Sequence, residues 1–407
     1  MHITYFTIED IGSGLFKNQV INKLNAILHV DSSVSFEIIV LNSPLKHKRN
    51  KKILQHYKNI LPERIKIKYY AVLPPLRYAL SSKMQSYLLL KWLELFCRIF
   101  VKFRGDIIHC RSYWTTIITS RISDKPIVFD LRSLYPAENV AAGNLILNSK
   151  EYNYWLELEK ECLIRSTVNC AVSPAMVTYI NDVNPKSVTR LNPIIVNTEE
   201  IYFDEDSRFK IRKQLGWQEN IILVYSGSLG VSGLNVQTLS NVLSLFVKSS
   251  DNFRFLFLSS DSKESIVNLL SKAEVPEERY YITEAKSNEL YKWLSASDIG
   301  FHALPVQLDS ATRLGTKVVE YWVNGLPVIV NKNVGAAVDL ISEYGIGYTI
   351  DETTHSDEVM EEIKLLLNKN RNEIAEISKS LFDSKIIAKQ YVEIYEYCLN
   401  SNNKQNN

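Results

Sequence analysis

Residues 312–330 read TRLGTKVVEYWVNGLPVIV. The part TKVVEYWVNG has helical character and stops at Gly325, where a chain can turn freely. PVIVN (327–331) is then a short, continuous apolar run, the pattern of a strand buried on both faces. The same alternation continues outward. Upstream come IILVYS (221–226), a helical pattern over roughly 234–247, FRFLFLS (253–259), the helix ESIVNLLSKA, RYYIT (279–283), the helix NELYKWLSAS and DIGFHAL (298–304). Downstream come a helix over 336–343 and the strand GYTID. Strands that alternate with helices of about ten residues make βαβ units around a parallel sheet.

The first half repeats the pattern more loosely. HITYFT (2–7) is a strand, followed by a Gly-containing turn and a helix from about Phe16 to Leu28. FEIIVLN (36–42), DIIHCR (106–111), IVFDLR (127–132) and NCAVSP (169–174) are further strands, and IKIKYYAV (65–72) suits a sheet edge. The sheet pattern lapses over 197–215, a charged stretch that reads as a domain boundary. The chain is therefore expected to be α/β, with two doubly wound Rossmann-like domains facing across a cleft. The first covers 1–200 and the second 201–383. A last helix, about 384–400, carries Ile387, Tyr391, Ile394 and Tyr395 on one face and could dock on either domain.

Lys317 and Glu320 are three residues apart and so share a face at the start of a helix. Free backbone N–H groups there favour an anion such as phosphate. Lys317 can neutralise a diphosphate and Glu320 can accept from ribose hydroxyls. The alternative is a solvent-facing ion pair worth a few tenths of a kcal/mol.

The segment resembles the signature (P/T)K-x-x-E-Y-x-x-x-G-x-P-V-I of GT-B glycosyltransferases, in particular the large retaining family 4. Other pieces resemble that family in the same order: GSGLFKNQV (12–20), DIIHCRS (106–112), VFDLRSLYPAE (128–138), CAVSPAM (170–176), VYSGSLG (224–230) and LSASDIGF (294–301). The resemblance implies sugar transfer from a nucleoside-diphosphate donor with retention of anomeric configuration, the donor on the C-terminal domain and the acceptor on the N-terminal one. It implies no separate cofactor and no metal, since side chains and helix N-termini neutralise the leaving group. Lys317, Glu320 and Arg111 become the catalytic candidates. Gly12, Gly14, Gly227, Ser228 and Arg313, with Lys317 and Glu320, become donor-binding candidates, and Asp130, Arg132 and Glu138 acceptor-side candidates, with Glu138 on a loop after Pro136. His109 reads as a satisfied core histidine, and Ser173 as a strand-end residue. The base pocket would involve ITEAK (282–286).

Two departures from the family pattern stand out. Its first glutamate, eight residues before Glu320, is Thr312 here. Its Arg and Lys after the 224–230 strand are missing from GSLGVSGLN, which leaves the diphosphate to backbone amides around Gly227–Gly233, Lys317 and Arg313. A sugar-nucleotide 2-epimerase of the same architecture and a non-catalytic nucleotide-sugar-binding subunit are the alternatives.

Composition excludes other classes. Hydrophobic residues are 46% and charged residues 23% of 407, ordinary globular usage. MHITYFTIED lacks the basic and apolar regions of a secretory signal, so a cytoplasmic location is expected. Cys97, Cys110, Cys162, Cys170 and Cys398 have no ligand spacing and read as reduced, mostly core thiols. The net charge of +2 hides an asymmetry: residues 1–105 hold 17 Lys+Arg and 6 Asp+Glu, the rest 30 and 39. One basic cluster is KHKRNKK (46–52); another is Arg77, Lys83, Lys91, Arg98, Lys102 and Arg104. In the latter stretch Leu88, Leu89, Trp92, Leu93, Phe96, Ile99, Phe100 and Phe103 recur at helical spacing, with Lys91, Glu94, Arg98 and Lys102 opposite. Such a helix either covers its own domain's core or, through residues 46–104, touches an anionic membrane on the inner face of the plasma membrane. No nucleic-acid module is recognisable. The expected partners are thus a nucleotide-sugar donor and a glycan or lipid-linked acceptor in polysaccharide or lipopolysaccharide synthesis. The tail SNNKQNN is expected to fray.

Overall fold

The computed structural model describes residues 1–43, 47–72, 82–229 and 236–405. Lys46 and Arg77 of the basic clusters, and Gly230–Gly233 of the expected diphosphate loop, lie outside the described residues. The chain forms two units, Met1–Ile195 with Ser384–Asn407, and Val196–Asp383.

The apolar runs become strands: β1 (His2–Thr7), β2 (Ser35–Asn42), β3 (Ile65–Ala71), β4 (Ile107–Arg111), β5 (Ile127–Asp130), β6 (Val168–Ala171) and β7 (Thr189–Leu191) in the first unit. The second unit has β8 (Ile221–Ser226), β9 (Phe253–Leu258), β10 (Tyr280–Thr283), β11 (Ile299–His302), β12 (Val328–Asn331) and β13 (Gly347–Ile350). The sheets run β3-β2-β1-β4-β5-β6-β7 and β10-β9-β8-β11-β12-β13, all pairs parallel. Strand order reverses between β1 and β4, and again between β8 and β11. In open parallel sheets the crevice beyond the carboxyl ends at such a reversal is where ligands bind.

Alternation along β1 sends Ile3 and Tyr5 into one core and Phe6 into the other, one on each face of the sheet. The final helix, Ser384–Gln405, completes the Tyr5 side with Ile387, Tyr391, Ile394, Tyr395 and Cys398, so it belongs to the first unit. Helical hydrogen bonding runs through the expected frayed residues as far as Gln405.

Several local expectations change. The charged stretch 197–215 contains the helix Glu205–Leu215, capped by Asp204 and ended by Gly216 in the left-handed region. Arg208 and Arg212 of that helix reach Asp298 at the entrance to β11, at 3.0 Å for Arg212, so two of its cations serve as anchors. Glu138 lies in a helix, Tyr135–Ala141, and not on a loop, because Pro136 sits in the first turn where its missing N–H costs nothing. The basic amphipathic segment forms the helix Lys83–Phe100, but its faces differ from the expected ones. Leu89, Leu90, Leu93 and Cys97 face the core, whereas Leu88, Trp92, Ile99 and Phe100 are exposed and Glu94 is buried beneath Arg121. The helix is apolar on two sides, which a repeat of three- and four-residue steps cannot separate. All five cysteines are free and buried.

Candidate functional site

In the second unit the β8–β11 reversal is built around a missing side chain. Gly300 in β11 lacks a Cβ, and one placed there would stand 2.4 Å from the Tyr321 ring. That space lets Tyr321 lie under the sheet end, where its hydroxyl accepts from the Ser226 N–H at 2.6 Å. The chain then turns at Gly227, whose φ of 138° only glycine adopts without strain. Ser228 donates its hydroxyl to Asp261 at 2.6 Å, and the Leu229 N–H donates to the other oxygen of the same carboxylate.

The helix Thr316–Val323 starts beside this turn, with the Lys317 stem 3.9 Å from the position a Cβ on Gly227 would take. Its N-cap is Gly315, no side chain caps its first turn, and no acid lies there, so the helix start is electrostatically suited to an anion. Lys317 Nζ is 2.8 Å from Glu320 Oε2; Lys317 is half-buried and Glu320 nearly fully so. His302 at the end of β11 lies against Gly315 and parallel to the Tyr225 ring. Burial, reinforced by Arg313 and Lys317, pushes His302 down to about 4, so it is neutral at pH 7. Arg313 is held by Asp309 through Nε at 3.0 Å, and Thr312 donates to the Asp309 carbonyl, so both are braced within the loop.

In the first unit the β1–β4 reversal is charged and largely buried. Asp130, at the end of β5, is fully buried and accepts from Lys23 at 2.7 Å, Tyr391 at 3.3 Å, Arg132 at 3.4 Å and Arg111 at 3.5 Å. Burial alone would raise its carboxyl, but Lys23 and Arg132 overcome this and hold it well below the usual carboxylate range. Arg111 also reaches Glu9 at 3.3 Å, and Arg132 reaches Gln19 at 3.4 Å. The Lys23 ammonium is stacked between the Tyr5 and Tyr391 rings, 5.0 and 4.8 Å from their centroids. Burial lowers it to about 8 against the upward pull of Asp130. His109 is not fully satisfied: Nδ1 meets the Tyr395 hydroxyl at 2.8 Å, but buried Nε2 makes no hydrogen bond, 3.5 Å from Asp130. Burial, with Lys23 close by, takes its pKa down to about 4.

Of the remaining candidates, Gly12 lies under Arg49, which donates to its carbonyl at 3.1 Å and would collide with a Cβ there. Gly14 has open space around it. Glu138 accepts from Ser133 at 2.7 Å, and Ser173 caps the helix Pro174–Val183. Sequence reading thus named Arg111, Asp130 and Arg132, which the fold brings together, and Gly227, Ser228, Lys317 and Glu320, which it also brings together. It missed Lys23, Glu9, Gln19, Tyr391, His302 and Asp261. For Lys23 a signal existed: it interrupts the apolar spacing Val20, Leu24, Ile27 of a helix that is otherwise core. Among the described residues no group of three or more His, Cys, Asp or Glu side chains is arranged to hold a metal ion.

Residues 207–380 match the family model described as Glycosyl transferases group 1. No curated protein matches the sequence. Among solved structures, the sucrose-phosphate synthase of Thermosynechococcus elongatus is similar, with a TM-score of 0.69 and 14% identity over 98% of this chain and 99% of that one. Anabaena HepE in complex with UDP is similar at a TM-score of 0.66 and 14% identity, over 97% and 100% of the two chains. WaaG, a glycosyltransferase involved in lipopolysaccharide biosynthesis, has a TM-score of 0.64 and 14% identity over 97% and 99%. At these identities the likeness concerns architecture: the chain has the GT-B fold.

Proposed function

We propose that this chain is a retaining, metal-independent glycosyltransferase of the family 4 type. It moves a sugar from a nucleoside-diphosphate donor to a glycan or glycolipid acceptor in bacterial surface polysaccharide or lipopolysaccharide synthesis, in the cytoplasm at the inner face of the plasma membrane. The observation that carries the reading is the convergence, at one strand-order reversal, of the Gly227 turn and the uncapped helix start that bears Lys317 and Glu320. The match of residues 207–380 to the group 1 model supports it independently.

In this reading the diphosphate lies against the first turn of the helix Thr316–Val323, with the Lys317 ammonium as counter-charge. Glu320 accepts from ribose hydroxyls and holds the lysine in place. The acceptor oxygen bonds to the anomeric carbon on the face from which the diphosphate leaves. The bond from that carbon to the phosphate oxygen breaks, its electron pair stays on the phosphate, and the hydroxyl proton ends there. Fixed dipoles and one cation aimed at the growing phosphate charge are the main protein contribution. Asp130 is a positioning residue, setting Arg111 and Arg132 at the acceptor side.

The test is a panel of nucleotide sugars in a thermal-shift assay, begun with uridine donors because HepE is solved with UDP-glucose. One donor should raise the melting temperature, and that donor should be hydrolysed or transferred. Binding without turnover identifies a binding subunit instead, and neither result with any donor refutes the proposal.

A further inference from the structure

We infer that His302 is a ligand of the donor diphosphate, to which it gives the N–H of its Nε2 atom. The inference rests on the donor site of the sugar-transfer reading and adds a residue to which that reading gives no part.

β11 pairs with β8 through Gly300 and Val224, so two residues on, at the end of β11, His302 comes out at the carboxyl edge of the sheet beside the Gly227 turn. Residues two apart on a strand share a face. His302 therefore points to the same side as Gly300, the side on which Tyr321 and its helix Thr316–Val323 lie. The ring meets that helix at its start. A Cβ placed on Gly315, the N-cap, would stand 3.1 Å from both Cδ2 and Nε2, so this edge of the imidazole is turned to the helix start and the glycine leaves it clear. The Tyr225 ring lies nearly parallel, with its centroid at 6.4 Å.

The surroundings decide where the ring carries its proton. Nδ1 is buried and has no hydrogen-bond partner among the described residues. The charged groups that bear on the ring are both cations, Arg313 and Lys317, each turned to its own carboxylate, Asp309 and Glu320. With burial they keep the imidazole uncharged at pH 7, so it holds a single N–H. A buried N–H without an acceptor is rarer and costs more than a buried lone pair. The proton therefore belongs on Nε2, the nitrogen on the helix side. It faces a helix start with no side-chain cap, no acid in the first turn and Lys317 beside it, surroundings that favour an anion. A diphosphate oxygen seated against that first turn accepts from Nε2 as well as from the backbone. The stretch GSLGVSGLN offers no Arg or Lys, and a donor from the neighbouring strand makes up part of that deficit.

The experiment is calorimetric titration of the full chain at pH 7 with UDP, the nucleotide of the HepE complex, and with inorganic pyrophosphate. The variants are His302→Gln, His302→Asn and His302→Leu. Gln brings an amide nitrogen near the place of Nε2, Asn near that of Nδ1, and Leu brings none. Wild type and His302→Gln should bind alike. His302→Asn and His302→Leu should bind roughly ten- to a hundredfold more weakly, the usual worth of a hydrogen bond to a charged group. Melting temperatures without ligand are the control: a purely structural role makes affinity follow stability, whereas a direct contact separates Gln from Asn at equal stability. A His302→Leu variant that binds both probes like wild type overturns the inference. So does a His302→Asn variant that binds better than His302→Gln, or a wild type that binds neither probe. Turnover keeps the two readings apart. UDP binding that depends on His302, with no transfer from any nucleotide sugar, upholds this inference and removes the sugar-transfer reading. Transfer by His302→Leu at the wild-type donor KM does the reverse.

Discussion

Asp130→Asn is the sharpest single perturbation of the first unit. The carboxylate is fully buried, and together with Glu9 it balances Lys23, Arg111 and Arg132. The asparagine has nearly the same shape but leaves three cations facing Glu9 alone. Removing one member of a buried ion pair costs about 3–5 kcal/mol, because the other members remain out of water and uncompensated. For a unit of about 200 residues each kcal/mol moves the midpoint by about 2–4 °C, so a fall of roughly 6–20 °C is expected in thermal unfolding at pH 7. The sign with pH follows from the depressed carboxyl. Asp130 contributes its stability above the unfolded-state value of 3.8, and that contribution is lost as pH falls through the lower folded value, so the gap between wild type and variant closes only in strong acid. Adding Lys23→Met removes the ammonium that the introduced amide would strand, and should restore much of the loss. A variant melting within about 2 °C of wild type, or a double variant no better than the single one, refutes the argument that this cluster is held by mutual compensation.

Other outcomes follow from the same geometry. Lys317→Ala should reduce turnover about 10²–10³-fold with the fold unchanged by circular dichroism, the usual effect of removing one group that stabilises leaving-group charge; Glu320→Gln should also abolish turnover, and wild-type rates in both would discredit the site. Asp261→Ala releases the Ser228 hydroxyl and the Leu229 amide, so donor KM should rise about tenfold as the loop must then order on binding; steady-state kinetics showing only a kcat change would argue otherwise. His302 binds a proton more readily unfolded than folded, so it costs stability as pH falls from 6.5 toward 4. Melting curves at pH 7 and 5 should therefore converge somewhat in His302→Gln compared with wild type. Gly300→Ala should displace the Tyr321 ring and with it the anchor on Ser226, lowering both stability and donor-induced thermal shift.

Most strands were legible because a strand buried on both faces reads as an apolar run, and each run named from the sequence became one, whereas β7, three residues largely open to solvent, carried no such run and was not read. Helices without a clean stripe were not legible. His47–Ile60 hides behind its lysines, and Tyr113–Ile122, buried along most of its length, shows no periodicity. The Lys83–Phe100 helix has the right spacing for two opposed faces, and spacing alone cannot say which one meets water. At the candidate site, Gly227, Lys317 and Glu320 are close in sequence or carry a motif, so they could be read. Lys23, Asp130 and Tyr391 are held together only by the fold: the Lys23–Asp130 contact spans 107 residues and the Tyr391–Asp130 contact 261. No local pattern encodes such a distance.

The final helix sets an order of events for a newborn chain. Val196 and Asp383 pair directly, so the second unit leaves and returns at one point, and all its residues precede the final helix. The first unit waits longer. Its own residues lie earlier in the sequence, yet Tyr391 and Tyr395 of the final helix must join them to cover His109 and Asp130. A chain cut before residue 384 therefore keeps every residue of the second unit but leaves the first without the helix that roofs its polar centre.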